Sequence, residues 1–271
     1  MRNARSGLGK STATAFVIVA LATLYGCAPG MKTLDKPTGP LPWTAAIGRL
    51  DNDRDSFSCT ATLVSPDTIV TAAHCLFLRG REVDPADLAF TPFAGGAQRL
   101  RPSQGIEIIA VGGKVEGDKS REGDTQEDWG MVKIAPAITG VKPIGIADLP
   151  AEEITKKLDA GAVLSNAGYG VYGLMIGKHL HQHDDCKLVG DWSSILELGP
   201  NVIVSSCPVI QGDSGGPIML TEKDGTRRMV GVISGYWRSK DGKDQVSFGA
   251  NSANFAAKLD LSATAAPATQ P

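Results

Sequence analysis

From Trp43 onward, short runs rich in Val, Ile and Thr recur between clusters of Gly, Pro and Asp. They occupy residues 45–50, 59–64, 68–71, 106–111, 131–134, 162–167, 202–207, 217–220 and 229–234. Runs this short, bounded by turn formers, predict strands rather than helices. Ser65-Pro66-Asp67 separates two of them and predicts a hairpin turn, because Pro presets φ and the Ser and Asp side chains bond locally to the backbone. The runs divide into two stretches of similar β content, residues 43–134 and 143–252. Two helices are expected. Residues 150–158 (PAEEITKKL) place acids early and lysines late, as the helix dipole favours, and residues 252–259 (SANFAAKL) predict a short C-terminal helix. The pattern is that of an all-β barrel or sandwich.

The segment before Trp43 has a different character. Arg2, Arg5 and Lys10 precede the apolar run 12–24 (TATAFVIVALATL), which is too short for a comfortable permanent membrane span, so residues 1–26 read as a lipoprotein-type signal peptide. The run ends in Leu24-Tyr25-Gly26-Cys27. This resembles the bacterial lipobox, with Tyr25 standing where a small residue is usual, and Cys27 is the expected lipidation site. Residues 27–42 then form the lipidated cysteine and a Pro-containing linker, residues 43–260 the folded domain, and residues 261–271 a disordered tail. The formal net charge is −2, and losing Arg2, Arg5 and Lys10 makes the remainder three units more negative, which gives no support for nucleic-acid binding.

Five cysteines in an exported chain leave one unpaired, and Cys27 is the one in a processing motif. The other four allow three connectivities; joining nearest neighbours gives Cys59–Cys75 and Cys186–Cys207.

Gln211-Gly212-Asp213-Ser214-Gly215-Gly216-Pro217 sets a serine among glycines, where its hydroxyl is exposed and backbone N–H groups can converge on one point. A serine needs a base, and a base needs an orienting carboxylate. His74 lies in Thr71-Ala72-Ala73-His74-Cys75, directly after a predicted strand, and Asp128 precedes the apolar run Met131–Ile134. Asp124 is the competitor for that role but lacks a following apolar strand. The TAAHC and GDSGGP motifs, with Asp128 between them, resemble the trypsin/chymotrypsin-like serine proteases. The resemblance extends over residues 43–259, including Ala167-Gly168-Tyr169-Gly170 and the stretch 230–236. It implies two antiparallel six-stranded β-barrels with the active site in the cleft between them. It also implies a triad of His74, Asp128 and Ser214, an oxyanion hole from the N–H groups of Gly212 and Ser214, and substrate pairing along Ser234, Gly235 and Tyr236.

Departures from that family sharpen the expectation. No site for releasing a free Ile or Val amine precedes His74, so the partner of Asp213, which such an amine would occupy, is left open. Ile210 stands where a cysteine is usual, and Cys207 lies seven residues before Ser214, a spacing similar to secreted bacterial and fungal members, the glutamyl endopeptidases included. The position that is acidic in trypsin falls at Pro208. With Val209 and Ile233 nearby, the pocket is expected to be apolar or small, selecting neither Arg and Lys nor Glu.

His179, His181 and His183 alternate before Asp184 and Asp185, which on a strand would put three imidazoles on one face, a possible metal site. The preferred reading is an exposed polar hairpin before Cys186, since triad chemistry needs no metal. Asp51-Asn52-Asp53-Arg54-Asp55 likewise reads as a turn, for it lacks the later glutamate of a calcium loop. The expectation is a monomeric, exported serine endopeptidase, periplasmic or at the cell surface and membrane-bound only through a lipid at Cys27. It needs no cofactor and its partners are protein or peptide substrates. The alternatives are a silent protease-fold binding protein or a latent protease awaiting processing. An esterase is disfavoured because the serine lacks the Gly-x-Ser-x-Gly elbow.

Overall fold

A computed structural model describes residues 32–33, 43–52, 54–78, 81–92, 102–113, 125–170, 179–190, 198–242 and 244–259. The leader, Cys27, Asp53, Asp124 and the tail after residue 260 lie outside them.

Residues 68–71 (TIVT) show how the first half is built: all four are buried, which requires a strand with neighbours on both edges and side chains covered on both faces. In chain order the strands are β1 (Lys32–Thr33), β2 (Ile47–Asn52), β3 (Phe57–Ser65), β4 (Thr68–Thr71), a small hairpin of β5 (Phe77–Leu78) with β6 (Arg81–Glu82), β7 (Leu88–Pro92), β8 (Ser103–Val111) and β9 (Gly130–Ala135). Six of them close a barrel in the order β2-β3-β4-β9-β8-β7, all antiparallel. The expected turn at Ser65-Pro66-Asp67 joins β3 to β4, with the Ser65 and Thr68 hydroxyls donating to Asp67 Oδ1 at 2.8 and 3.2 Å. Asp51 and Asn52, from the acidic run read as a turn, end β2, and Arg49 and Ser58 donate to the Asp51 carboxylate.

The second half contributes α1 (Ala151–Asp159), β10 (Val163–Gly168), β11 (His181–Cys186), β12 (Val202–Ser205), β13 (Pro217–Thr221), β14 (Arg227–Arg238) and β15 (Gln245–Asn251). These strands form a sheet in the order β1-β11-β10-β13-β14-β15-β12. The chain is therefore mostly β, with one closed six-stranded barrel and a second β unit. The second unit has seven strands because Lys32 and Thr33, from the stretch read as linker, pair with Gln182 and His181. A 3-10 turn at Ser252–Asn254 and a helical turn at 256–259 end the described chain.

One apolar core runs through both halves, from Ile47, Leu63, Ile69 and Met131 to Met219, Met229 and Phe255. Each fully buried aliphatic side chain of this kind contributes about 1.5–3 kcal/mol. A second cluster, with Ile154 of α1, Leu164, Ile203, Ile218 and Val230, fills the second sheet. Across the junction, Phe255 from the C-terminal turn lies against Trp129, ring centroids 5.4 Å apart. The disulfides join Cys59 to Cys75 and Cys186 to Cys207.

Candidate active site

His74 sits on the 3-10 turn Ala73–Cys75 that follows β4, its ring partly open to solvent. The buried flanking residues and the Cys59–Cys75 bridge fix the turn, so the imidazole projects from a rigid base. Its backbone N–H donates to Asp128 Oδ1 at 2.9 Å, and its Nδ1 lies 2.8 Å from Asp128 Oδ2.

Asp128 ends the 3-10 turn Thr125–Glu127 and leads into β9, with only 4% of its side chain exposed. A carboxylate there is costly unless its lone pairs are taken. They are taken by the two His74 groups and by the Ser234 hydroxyl, which donates to Oδ2. Burial pushes the Asp128 pKa up, but the His74 charge and these hydrogen bonds outweigh it and hold the group below the ordinary range. At His74, burial works downward, yet the Asp128 charge and hydrogen bond prevail and raise it above the usual value near 6.5.

Ser214 occupies the turn before β13, where Gly212 and Gly215 adopt φ of 100° and 83°. A Cβ on Gly215 would stand 2.1 Å from Thr71 Oγ1 and 2.2 Å from the Thr60 carbonyl, so the turn is pressed directly onto the first barrel. Thr60 joins the two halves. Its N–H donates to the Ser214 carbonyl and its hydroxyl to the Gly212 carbonyl, both at 2.8 Å, and it accepts the Tyr169 N–H at 2.9 Å. Cys75, next to His74, has its sulfur 3.9 Å from the Ser214 carbonyl oxygen. The turn carrying Ser214 thus abuts the one carrying His74.

A cleft of about 360 Å³ opens beside Ser214, lined also by Val209, Ile210, Gln211, Ser234, Gly235, Tyr236 and Phe248. No ionisable carboxylate, amine or guanidinium is among these residues. Pro208 is not part of the lining; its carbonyl accepts from Asn166 Nδ2 at 3.3 Å. Ile233 is buried behind the wall in the second cluster. The β14–β15 register shifts between Ile233 and Gly235, and this irregularity at Ser234 aims its hydroxyl at Asp128. Beyond Val232, β14 pairs with β15 and no longer with β13, leaving its other edge without a strand among the described residues.

The histidine run is not an exposed polar hairpin. His181, Gln182 and His183 are buried on β11, between β1 and β10, and His179 precedes the strand. His181 Nε2 lies 2.8 Å from Asp213 Oδ1. The His181 ring, one of the three candidate metal ligands, therefore faces a carboxylate beneath the Ser214 turn. Among the described residues, the one grouping with donors close enough to share a metal ion is Cys59, His74 and Cys75, and the disulfide consumes two of those donors. Sequence reasoning did not find Thr60, the Ser234–Asp128 bond, Phe248 or the partner of Asp213. The unusual density of titratable residues at 179–185 was the available signal for the last.

A sequence model of the family described as Trypsin matches residues 32–259. The chain is 26% identical over 226 residues to phenoloxidase-activating enzyme 1 of Spodoptera litura, covering 74% of this chain and 58% of that protein. It is 23% identical over 212 residues to urokinase-type plasminogen activator of Gallus gallus, covering 71% and 48%. With chymotrypsin-C of Rattus norvegicus it shares 22% over 246 residues, covering 80% and 87%. The chain thus spans about half the length of the first two relatives. Among solved structures, a Glu endopeptidase in complex with MPD superposes with a TM-score of 0.62 at 17% identity, covering 87% of this chain and 97% of that one. The thermostable serine protease AL20 from an extremophilic microorganism gives 0.56 at 18%, covering 80% and 98%. At such identities these two likenesses speak for the fold alone.

Proposed function

The chain belongs to the trypsin family, and on that premise we propose that it is a serine endopeptidase acting through an acyl-enzyme. The observation that carries this reading is the His74–Asp128 pair, held by Ser234 and abutting the turn of Ser214. In this mechanism His74 takes the Ser214 proton as Oγ attacks the scissile carbonyl, then gives it to the departing amine. Water repeats the sequence to release the acyl group. Asp128 fixes the imidazole tautomer and stabilises its charged form. The N–H groups of Gly212 and Ser214 receive the oxyanion, each donor being worth about 3 kcal/mol in comparable sites. Substrate backbone pairs with the open edge of β14 near Ser234, Gly235 and Tyr236. The uncharged cleft of Val209, Ile210 and Phe248 favours an apolar side chain before the cleaved bond.

The processing segment and paired cysteines support export, with Cys27 carrying a lipid that tethers the domain to a bacterial membrane. Among the described residues no helix is long and apolar enough to cross a membrane.

The test is labelling by a fluorophosphonate probe, followed by profiling of cleavage sites in a peptide library. Wild-type protein is expected to label where Ser214→Ala does not, and to cut after apolar residues. A folded wild-type protein that labels no more than Ser214→Ala, with its mature N-terminus determined, sinks the enzyme reading in favour of a protease-fold binding protein.

A further inference from the structure

Asp213 separates the two residues whose N–H groups are assigned to the oxyanion, so whatever fixes its side chain also restrains the backbone of the turn that carries them. It is one of the most enclosed carboxylates among the described residues, its side chain 2% exposed. One oxygen, Oδ2, accepts the Ile210 N–H at 2.8 Å, and this closes the turn on itself, with Asp213 N–H donating back to the Ile210 carbonyl at 3.1 Å. The other, Oδ1, points away from the turn toward β11. There His181, 4% exposed, presents Nε2 2.8 Å from it, within ion-pair distance.

The surroundings of this contact are shaped around it. A Cβ on Gly168 would come within 2.3 Å of Oδ1, so glycine keeps the niche open for the carboxylate. Gly168 is also the β10 residue paired with His181, and Thr33 of β1 pairs with His181 from the other side. The strand is thus held at both edges. The ring of His183 stands edge-on to that of His181, centroids 5.8 Å apart.

The geometry points to His181 as a positioning residue that anchors Asp213, and through it the amides of Gly212 and Ser214, without any free α-amine of this chain. This rests on the protease reading. An amine entering the niche would have to displace an imidazole already seated against Oδ1. The turn is therefore set by a strand of the same sheet, and its competence follows from folding rather than from release of a new N-terminus.

Four full-length proteins test this: wild type, His181→Phe, which keeps a ring and removes the donor, His181→Gln, which keeps a donor, and His183→Leu, which removes the neighbouring ring alone. Two readouts are taken, kcat and KM on a peptide substrate and hydrogen exchange of residues 208–216 by mass spectrometry. His181→Phe is expected to lose about a hundredfold in kcat, on the scale of one oxyanion donor, with KM within about threefold. Its 208–216 amides should exchange faster. His181→Gln should recover part of both effects, and His183→Leu should stay near wild type. A His181→Phe protein with wild-type kcat and unchanged exchange overturns the proposal. If wild type itself proves inactive, the protease reading fails and exchange alone decides the role of His181. If His181→Phe does not fold, proton–nitrogen NMR of wild type decides: a slowly exchanging Nε2–H on His181 supports the pair, and one exchanging as freely as in imidazole overturns it.

Discussion

The backbone N–H of Thr60 donates to the carbonyl of Ser214 across 2.8 Å, so a strand of the first barrel holds the proposed nucleophile of the second half. The Thr60 hydroxyl adds a donor to Gly212 and an acceptor for Tyr169 N–H, both within the interior. Thr60→Val keeps the shape but leaves a buried carbonyl and a buried amide unpaired. The expected cost is about 1–3 kcal/mol for each unpaired group, seen as a lower denaturation midpoint. A fall in kcat should accompany it, because the Gly212 plane is released.

Asp128 raises the His74 pKa, and this predicts where activity appears. The general base must be neutral, so kcat/KM should rise with pH along a limb centred above histidine's ordinary value of about 6.5. Asp128→Asn removes the charge and lets the tautomer turn. A loss on the order of 10⁴ in kcat is expected, and a limb left in place at undiminished rate would contradict the assignment.

Ser234 donates to the same carboxylate oxygen as the imidazole. Ser234→Ala removes one hydrogen bond to a charged, buried group, worth about 1.5–3 kcal/mol. If the bond serves to orient Asp128, kcat/KM should fall by about ten- to a hundredfold, with the fold intact by circular dichroism.

Stability should depend on pH in opposite senses at two histidines. Burial and the neighbouring His181 hold the His183 pKa down despite Asp213 and Asp184. The unfolded chain therefore binds the proton more readily, and stability drops as pH falls below about 6.5. His74 has a raised folded pKa, so its contribution is full below about 6.5 and lost as pH rises through the folded value. The fall in urea midpoint from pH 7.5 to pH 5 that His183 causes should be absent in His183→Leu, whose midpoint at pH 5, relative to that at pH 7.5, should be higher than in wild type. An unchanged difference would remove His183 as the source.

The Cys59–Cys75 bridge closes a separation of 16 residues and flanks both His74 and Thr60. Cys59→Ser with Cys75→Ser should cost about 3 kcal/mol and also reduce kcat. Loss of Cys186–Cys207, whose separation is 21, should cost a similar amount while sparing the His74 turn. Paired melting curves and rates separate the two effects.

Strands such as β3, β4 and β9 are legible in the sequence because their apolar runs are covered on both faces. The strand β11 is not, since HQHDDC has no apolar alternation, and its first three residues are buried although polar. For the same reason the partner of Asp213 stayed hidden: pairing across 32 positions depends on tertiary placement, which local pattern does not encode. His74, Asp128 and Ser214 stand out because their motifs are local and dense. Ser234 drew notice only as a substrate-pairing residue, as its bond to Asp128 exists only through the irregular register of β14 with β15.

The contact of Trp129 with Phe255 sets an order of events during synthesis. Chains fold from the N-terminus as they emerge, and the first barrel, complete by residue 135, already contains His74 and Asp128. It contains neither the serine nor Ser234, and the ring that backs Trp129 arrives 126 positions after it. On the proposed reading, the reactive constellation is therefore completed only with the second half, and an unfinished chain cannot yet cut.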